Sequence, residues 1–352
     1  MDYPVSTGFK TLSIKTNHQN FRFGYNGGTF LEDEIRDALI KGYPLTMDLA
    51  IPGKCLNNCI YCGYYEVNKD IKLTQPEIIN LIDQFGELGG KSVKILGEGE
   101  PLLRKDIFKI LEVISSKNII PVLFTCGDVI GNDSIARKIH RLSGLEVAKI
   151  LNELKVTIML KYEASGLKQD EIVRRKNYHE MRDNALEILL KLRFNRFSPT
   201  RLGFGIVLLK ENMNEIKEVY RYSIDNNIYP LICPIMPIGK MISCNERAAI
   251  SPDQVSIKEF HKELCKIRKS MGIIISNISD FPGCLPCDIS RTGLYVDDTG
   301  NVKVCEADET VGNIKNEVLA STWEKINEFK WTHYKNNREL GLCQPKRKYG
   351  IL

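Results

Sequence analysis

From about residue 45 to residue 233 the chain alternates short apolar runs with longer amphipathic stretches, and this alternation constrains the fold more than any other feature. The apolar runs cover 44–51, 92–97, 119–124, 155–160, 201–209 and 229–235. Between them lie amphipathic stretches at 74–88, 103–116, 133–154, 180–193 and 212–227. Leu81, Ile82, Phe85 and Leu88 in the first stretch fall at helical spacing. Short strands separated by helices of ten or more residues imply parallel βαβ units. Six strands and five helices fall short of an eight-fold barrel, so the expected architecture is α/β, a partial (β/α)6 TIM-like barrel. Function then belongs at the C-terminal strand ends.

The flanks read differently, and the chain divides at 1–43, 44–240, 241–280 and 281–352. The first segment is a short extension with a hairpin expected around Asn26-Gly27-Gly28. The third is a helical linker, with a polar helix predicted over 252–271 after Ser251-Pro252-Asp253. His261 on that helix and His333 nearer the end of the chain are expected at the surface. In the last segment two strands are predicted around Asp298-Thr299-Gly300-Asn301, then a helix over 317–330.

Eleven cysteines occur in 352 residues, an odd number and an uneven distribution. Seven fall into two groups, 55/59/62 and 284/287/305/343, while Cys126, Cys233, Cys244 and Cys265 are scattered. No stretch approaches the length of a membrane span, and the N-terminus lacks a basic region followed by an apolar one. A cytoplasmic location is therefore expected, and there clustered thiols point to metal rather than to disulfides. The net charge of +5 suits anionic small molecules or RNA without choosing between them. A non-catalytic iron–sulfur or zinc scaffold on RNA has only Lys346-Arg347-Lys348 in its favour, and three charges are usually a solvated end.

The first group, Cys55-x3-Cys59-x2-Cys62, follows the first predicted strand directly. Thiolates are the usual ligands of iron–sulfur clusters, and three of them leave one iron of a four-iron cluster open. Structural zinc wants four protein ligands, and no histidine is near in sequence. This motif, with Tyr61 before its last cysteine, resembles the signature of the radical S-adenosylmethionine (SAM) enzymes. The resemblance covers residues 44–235. It implies that the open iron chelates SAM, and that one electron then releases a 5′-deoxyadenosyl radical. It also implies an electron donor such as flavodoxin or ferredoxin. Gly97-Glu98-Gly99-Glu100-Pro101 is similar to the family segment that meets the SAM amino group. Lys161 and Glu163 end the fourth strand where the family places polar groups on the SAM carboxylate or ribose, and Gly205 lies where a fifth strand packs on adenine. Thr125-Cys126-Gly127 stands where relatives often carry Thr-Asn-Gly, and Cys126 is read as a packing residue.

The second group supplies four thiols, Cys284, Cys287, Cys305 and Cys343, a full set for a closed 4Fe–4S cluster or for zinc. The run from Cys287 through Gly300 to Cys305 resembles the SPASM or shorter twitch auxiliary-cluster domain. Two 4Fe–4S clusters and SAM are thus the expected cofactors. An auxiliary cluster implies an electron sink, so the leading expectation is dehydrogenase-type oxidation of a small molecule. Modification of a ribosomally made peptide is the second reading. The third is a GTP cyclase of molybdenum-cofactor synthesis, whose layout resembles Cys284, Cys287, Arg291 and Cys305 but which normally ends in Gly-Gly. Glu306, Asp308, Arg291 and Tyr295 are the candidate acid–base groups.

Overall fold

The predicted alternation becomes a nine-stranded sheet. In the computed structural model, residues 13–16, 19–22, 24–64, 72–271 and 292–336 are described. Strands β1 (Ser13–Thr16) and β2 (Gln19–Arg22) pair with each other antiparallel. Helix α1 (Glu32–Lys41) follows, ending at Gly42 in the left-handed region. The six predicted core strands are β3 (Thr46–Pro52), β4 (Ser92–Glu98), β5 (Ile120–Thr125), β6 (Thr157–Lys161), β7 (Leu202–Leu208) and β8 (Tyr229–Pro234). They are parallel neighbours in chain order, which bears out the partial α/β barrel.

These strands are apolar on both faces because one face meets helices and the other meets the barrel interior. The first four residues of β4 and of β6 are all buried. Helices α2 (Gln75–Glu87), α3 (Ile107–Ser116) and α9 (Met213–Asp225) turn Ile78, Leu81, Ile82 and Phe85, or their equivalents, onto the sheet. Thr74 and Glu77 cap α2 reciprocally, each side chain reaching the other's backbone N–H.

Two helical expectations change. The stretch 133–154 is two helices, α5 (Asp133–His140) and α6 (Gly144–Glu153). Arg141 turns left-handed at φ 62°, and Ser143 with Glu146 forms a fresh capping box. Two short elements also emerge, α4 (Asp128–Gly131) and α7 (Gly166–Val173), while the helix expected over 180–193 is α8 (Tyr178–Lys191).

The expected hairpin at Asn26-Gly27-Gly28 is instead a turn against the N-terminal ends of the strands. Asn26 N–H donates to the Thr200 carbonyl at 2.8 Å, and Tyr25 lies against Tyr229. Gly27 has φ 81°, and a Cβ there would come within 2.7 Å of Ile120 and Val122. Close approach to the barrel floor, rather than a hairpin, explains the glycine.

Beyond the barrel, α10 (Cys244–Ile250) precedes α11 (Gln254–Ser270), which starts at the Asp253 cap. His261 is buried at 7% exposure, contrary to its expected surface position, because its helix face packs inward with Phe260 and Leu264. The predicted C-terminal hairpin is present as β9 (Gly293–Val296) and β10 (Asn301–Lys303), joined by a third strand, β11 (Thr310–Asn313). β9 pairs parallel with β3, so these strands extend the core sheet. Helix α12 (Leu319–Asn336) closes the described chain. Among the described residues no helix is long and apolar enough to cross a membrane.

Candidate active site

The sheet register brings the strand ends level. Pro52 pairs with Glu98, Thr125 with Leu160, Lys161 with Gly205, and Val207 with Cys233. The segments leaving β3 to β8 therefore converge above the barrel. There they enclose two cavities of about 450 and 290 Å³, which share Tyr61, Tyr64, Gly97, Gly99, Cys126, Lys161, Val207, Cys233 and Glu306.

Cys55, Cys59 and Cys62 all line the larger cavity. Their loop is tied down from beneath by α7, whose Val173 and Ile172 carbonyls accept from Asn58 and Ile60 N–H at 3.0 Å each. Asn57 N–H donates to Cys55 Sγ at 3.4 Å, and the Asn57 side chain accepts from Arg175 at 3.2 Å. Arg175 also pairs with the buried Asp128. This chain of contacts fixes where the first thiol stands.

The thiols differ in environment. Cys55 is exposed, and hydrogen bonding from Cys126 holds its pKa down to about 6. Burial pushes Cys59 up to about 11 and also raises Cys62. Burial opposes the Lys161 ammonium, yet Cys59, Glu163 and Tyr61 around it raise its pKa well above the usual value. A fixed cation thus faces the thiols.

The donor set suits an iron–sulfur cluster. Three soft sulfur ligands share one cavity wall beside that cation. Among the described residues no three His, Cys, Asp or Glu side chains gather tightly enough for a single metal ion.

The glycine-rich segment is a tight turn packed against the backbone of the cysteine loop. Gly99 has φ 142°, and a Cβ on it would meet Gly53 C and Lys54 O at 2.7 Å. Glu100 N–H donates to the Lys54 carbonyl at 2.7 Å, binding this turn to the cysteine loop. Gly97, Glu98 and Gly99 line the larger cavity, and Gly97, Gly99 and Glu100 the smaller. The Glu100 carboxylate is turned inward rather than toward a ligand. It accepts from Leu102 N–H at 3.0 Å, Thr125 Oγ1 at 2.6 Å and Cys126 N–H at 2.5 Å. Burial and nearby Asp128 still push its pKa up to about 7.

Lys161, Glu163 and Tyr61 form one hydrogen-bonded group in the cavity wall. Tyr61 Oη donates to Glu163 and accepts from Lys161, and Lys161 Nζ lies 3.2 Å from Glu163 Oε1. Behind them Gln169 does work that no sequence signal announced. Its Nε2 donates to Glu163 Oε2 at 2.7 Å, while its Oε1 accepts from Glu163 and Ala164 N–H and from Arg182. Arg182, fully buried, also lies 3.5 Å over the Tyr162 ring. Gly205 lines the smaller cavity, where a Cβ would reach only ordinary contact with Phe124.

Of the candidate acid–base groups, Glu306 lines both cavities. Tyr295 is buried on β9, its hydroxyl 3.2 Å from that of Tyr64. Asp308 lies on the turn after β10, its N–H donating to the Cys305 carbonyl at 3.0 Å, and neither cavity is lined by it. Cys305 is half-buried on that same turn. Arg291, Cys284, Cys287, Cys343 and the 346–348 tail lie outside the described residues. Cys126 and Cys233, scattered in sequence, both line the cavities, and Cys126 also packs with Cys59, Val173 and Tyr178, in keeping with its reading as a packing residue. Their signal was position at a strand end, not spacing.

The model of the Radical SAM superfamily matches residues 49–223. Among curated proteins, the chain is 29% identical over 204 residues to a GTP 3′,8-cyclase of Lactiplantibacillus plantarum, covering 55% of each. It is 45% identical over 71 residues to the enzyme of the same name from Psychromonas ingrahamii, covering 19% of this chain and 21% of that protein. The chain thus spans about half the length, or less, of these curated relatives. Two solved structures share the fold. One is Streptococcus suis SuiB bound to its precursor peptide SuiA, with TM-score 0.59, 15% identity, 87% of this chain and 70% of that one. The other is anSMEcpe with bound AdoMet, with TM-score 0.58, 17% identity, 86% of this chain and 88% of that one. The cysteine trio, the glycine turn and the polar group on β6 all lie within the matched residues. Residues 49–223 are a radical SAM domain, which implies a 4Fe–4S cluster and SAM.

Proposed function

We propose that the chain is a radical SAM cyclase acting on GTP. The observation that carries this reading is the 204-residue similarity to a protein named GTP 3′,8-cyclase. It replaces small-molecule dehydrogenation as the leading expectation, which rested on the resemblance to an auxiliary-cluster domain and the electron sink that such a cluster implies. A cyclisation forms its ring within one substrate and needs no outside acceptor for two electrons. The mild positive charge of the chain agrees with an anionic nucleotide.

In this proposal Cys55, Cys59 and Cys62 would hold the cluster, and Gly97, Glu98 and Gly99, which line the same cavity, would meet SAM. When bound and reduced, that cluster supplies the electron that splits SAM into methionine and a 5′-deoxyadenosyl radical. Glu163, immobilised by Gln169, accepts from the ribose hydroxyls, and Lys161 offers its ammonium to the carboxylate. Tyr61, Phe124, Met159 and Leu231 wall the smaller cavity and keep water away. Glu306 reaches both cavities and is the candidate acid or base between SAM and substrate.

A second 4Fe–4S cluster on Cys284, Cys287 and Cys305 belongs to the same reading, which leaves Cys343 outside the ligand set. Three cysteines would leave one iron of such a cluster without a protein ligand, and Arg291 would offer a countercharge to phosphate. A flavodoxin or ferredoxin is the proposed electron donor.

The test is SAM cleavage by anaerobically reconstituted, dithionite-reduced protein with and without GTP. The proposal expects GTP to stimulate 5′-deoxyadenosine formation and to be consumed into a new GTP-derived product. GTP recovered unchanged, with stimulation by a peptide or sugar alcohol instead, would restore one of the other readings.

A further inference from the structure

Alternation along each strand sorts its side chains onto two faces. Met47 and Leu49 of β3, Val93 and Ile95 of β4, and Leu294 and Val296 of β9 belong to the apolar core. Asp48, Lys94 and Tyr295 alternate with them and face the barrel lumen, side by side in register. Lys94 stands two residues below Leu96, which lines the smaller cavity, so this layer lies beneath that cavity. Along the same layer Lys94 pairs with Val122, and Val122 with Thr157, two residues below the cavity-lining Met159.

Barrel interiors are ordinarily filled by branched apolar side chains, and this layer is polar instead. Lys94, Tyr295 and Thr157 are buried and Asp48 half-buried, with Lys94 Nζ 3.7 Å from Asp48 Oδ1. The Tyr295 hydroxyl lies 3.2 Å from that of Tyr64, which lines both cavities, so the layer is continuous with them. Two buried polar atoms here have no hydrogen-bond partner among the described residues. One is Thr157 Oγ1, and the other is Oδ1 of Asn26, on the turn that meets Val122 from the floor. An unmet buried polar group destabilises the fold, and a ligand that satisfies it offsets that cost.

We propose that this layer is the subsite for the guanine base of the substrate. Asp48 accepts from the N1–H and 2-amino groups, Lys94 donates to O6, and the Thr157 hydroxyl meets a ring nitrogen. The assignment deepens the GTP reading and rests on it. A carboxylate beside an ammonium complements an edge that carries donors beside a carbonyl. The same carboxylate repels phosphate, so the triphosphate lies away from this layer.

The test is calorimetric titration of GTP and of ITP, which lacks the 2-amino group, into the full-length protein. The protein is reconstituted anaerobically and left unreduced, so that binding is read without turnover. One hydrogen bond to a charged acceptor predicts that wild type binds GTP about tenfold more tightly than ITP. Asp48→Asn should bind the two nearly alike, because its amide has a single acceptor. Thr157→Val, the variant least able to disturb folding, should bind GTP about fivefold more weakly. Its urea unfolding midpoint should stay level or rise, since an unmet hydroxyl is removed at nearly constant shape. Wild type binding GTP and ITP alike, an unchanged preference in Asp48→Asn, or unchanged GTP affinity in Thr157→Val would overturn the assignment and leave the layer a structural ion pair. Wild type binding neither nucleotide would overturn the GTP reading itself, and this assignment with it.

Discussion

Glu100 sets burial against hydrogen bonding in one side chain, and replacing it by glutamine measures which prevails. The carboxyl group is 1% exposed and has three donors pointing at it, yet its pKa is pushed up to about 7 from 4.5. The folded protein then binds more protons than the unfolded chain between those two values, so stability falls as pH rises through that window. Below about pH 4.5 the penalty is absent, and above about pH 7 it is complete. Between pH 5 and pH 8 the loss from this group is about 2.5 kcal/mol. Glu100→Gln carries no charge at any pH and lacks this slope. Its amide leaves the buried Cys126 N–H facing another donor, which costs about 1–3 kcal/mol. Wild type should therefore lead the variant most at pH 5, the lead shrinking by about 2.5 kcal/mol by pH 8. Urea unfolding of the reduced, iron-free chain, followed by far-ultraviolet circular dichroism across this range, measures the difference. A lead that stays constant or grows with pH would show that the three donors keep the carboxylate ionised and that the burial argument is wrong.

Other substitutions probe the supports of the site. Arg175→Met removes the cation that neutralises buried Asp128 and steadies Asn57, and should cost about 3 kcal/mol in unfolding free energy. Iron bound per chain at the first site should fall with it, and unchanged iron would mean that the loop stands without this tie. Gly99→Ala places a Cβ 2.7 Å from Gly53 and Lys54 backbone atoms at a φ of 142°. It should weaken SAM binding at least about tenfold by calorimetric titration, through displacement of the turn. Affinity equal to wild type would exclude this turn from the SAM site.

The barrel was legible because its signal is repetitive. Each core strand lies within a residue or two of its apolar run, and periodicity survives small errors at any one position. The cysteine loop and the Gly97–Glu100 turn were legible because their chemistry is local in sequence. What escaped depends on contacts that no short window contains. Helix α7 carries Gln169 and ends beneath the cysteines, but its polar first turns give a weak periodic signal. Gln169 acquires meaning only when the β6 end meets α7 and Arg182 arrives from α8. Cys126 looked like an isolated small hydrophobe until β5 set it against Cys59, sixty-seven positions earlier in the chain. The break at Arg141 needed a left-handed residue that nothing in its side chain advertises. Lys161 and Glu163 were found at the right strand end, although their mutual pairing through Tyr61 was not foreseen.

Whether Cys55, Cys59 and Cys62 together are needed to cleave SAM is the most direct test of the proposed chemistry. Wild type and a variant with all three changed to alanine should be purified and reconstituted without oxygen, reduced with dithionite and given SAM. Wild type is expected to release 5′-deoxyadenosine and the triple variant none, while the variant keeps whatever iron the C-terminal cysteines hold. Undiminished 5′-deoxyadenosine from the triple variant, or zinc in place of iron at these thiols in the wild type, would contradict the assignment.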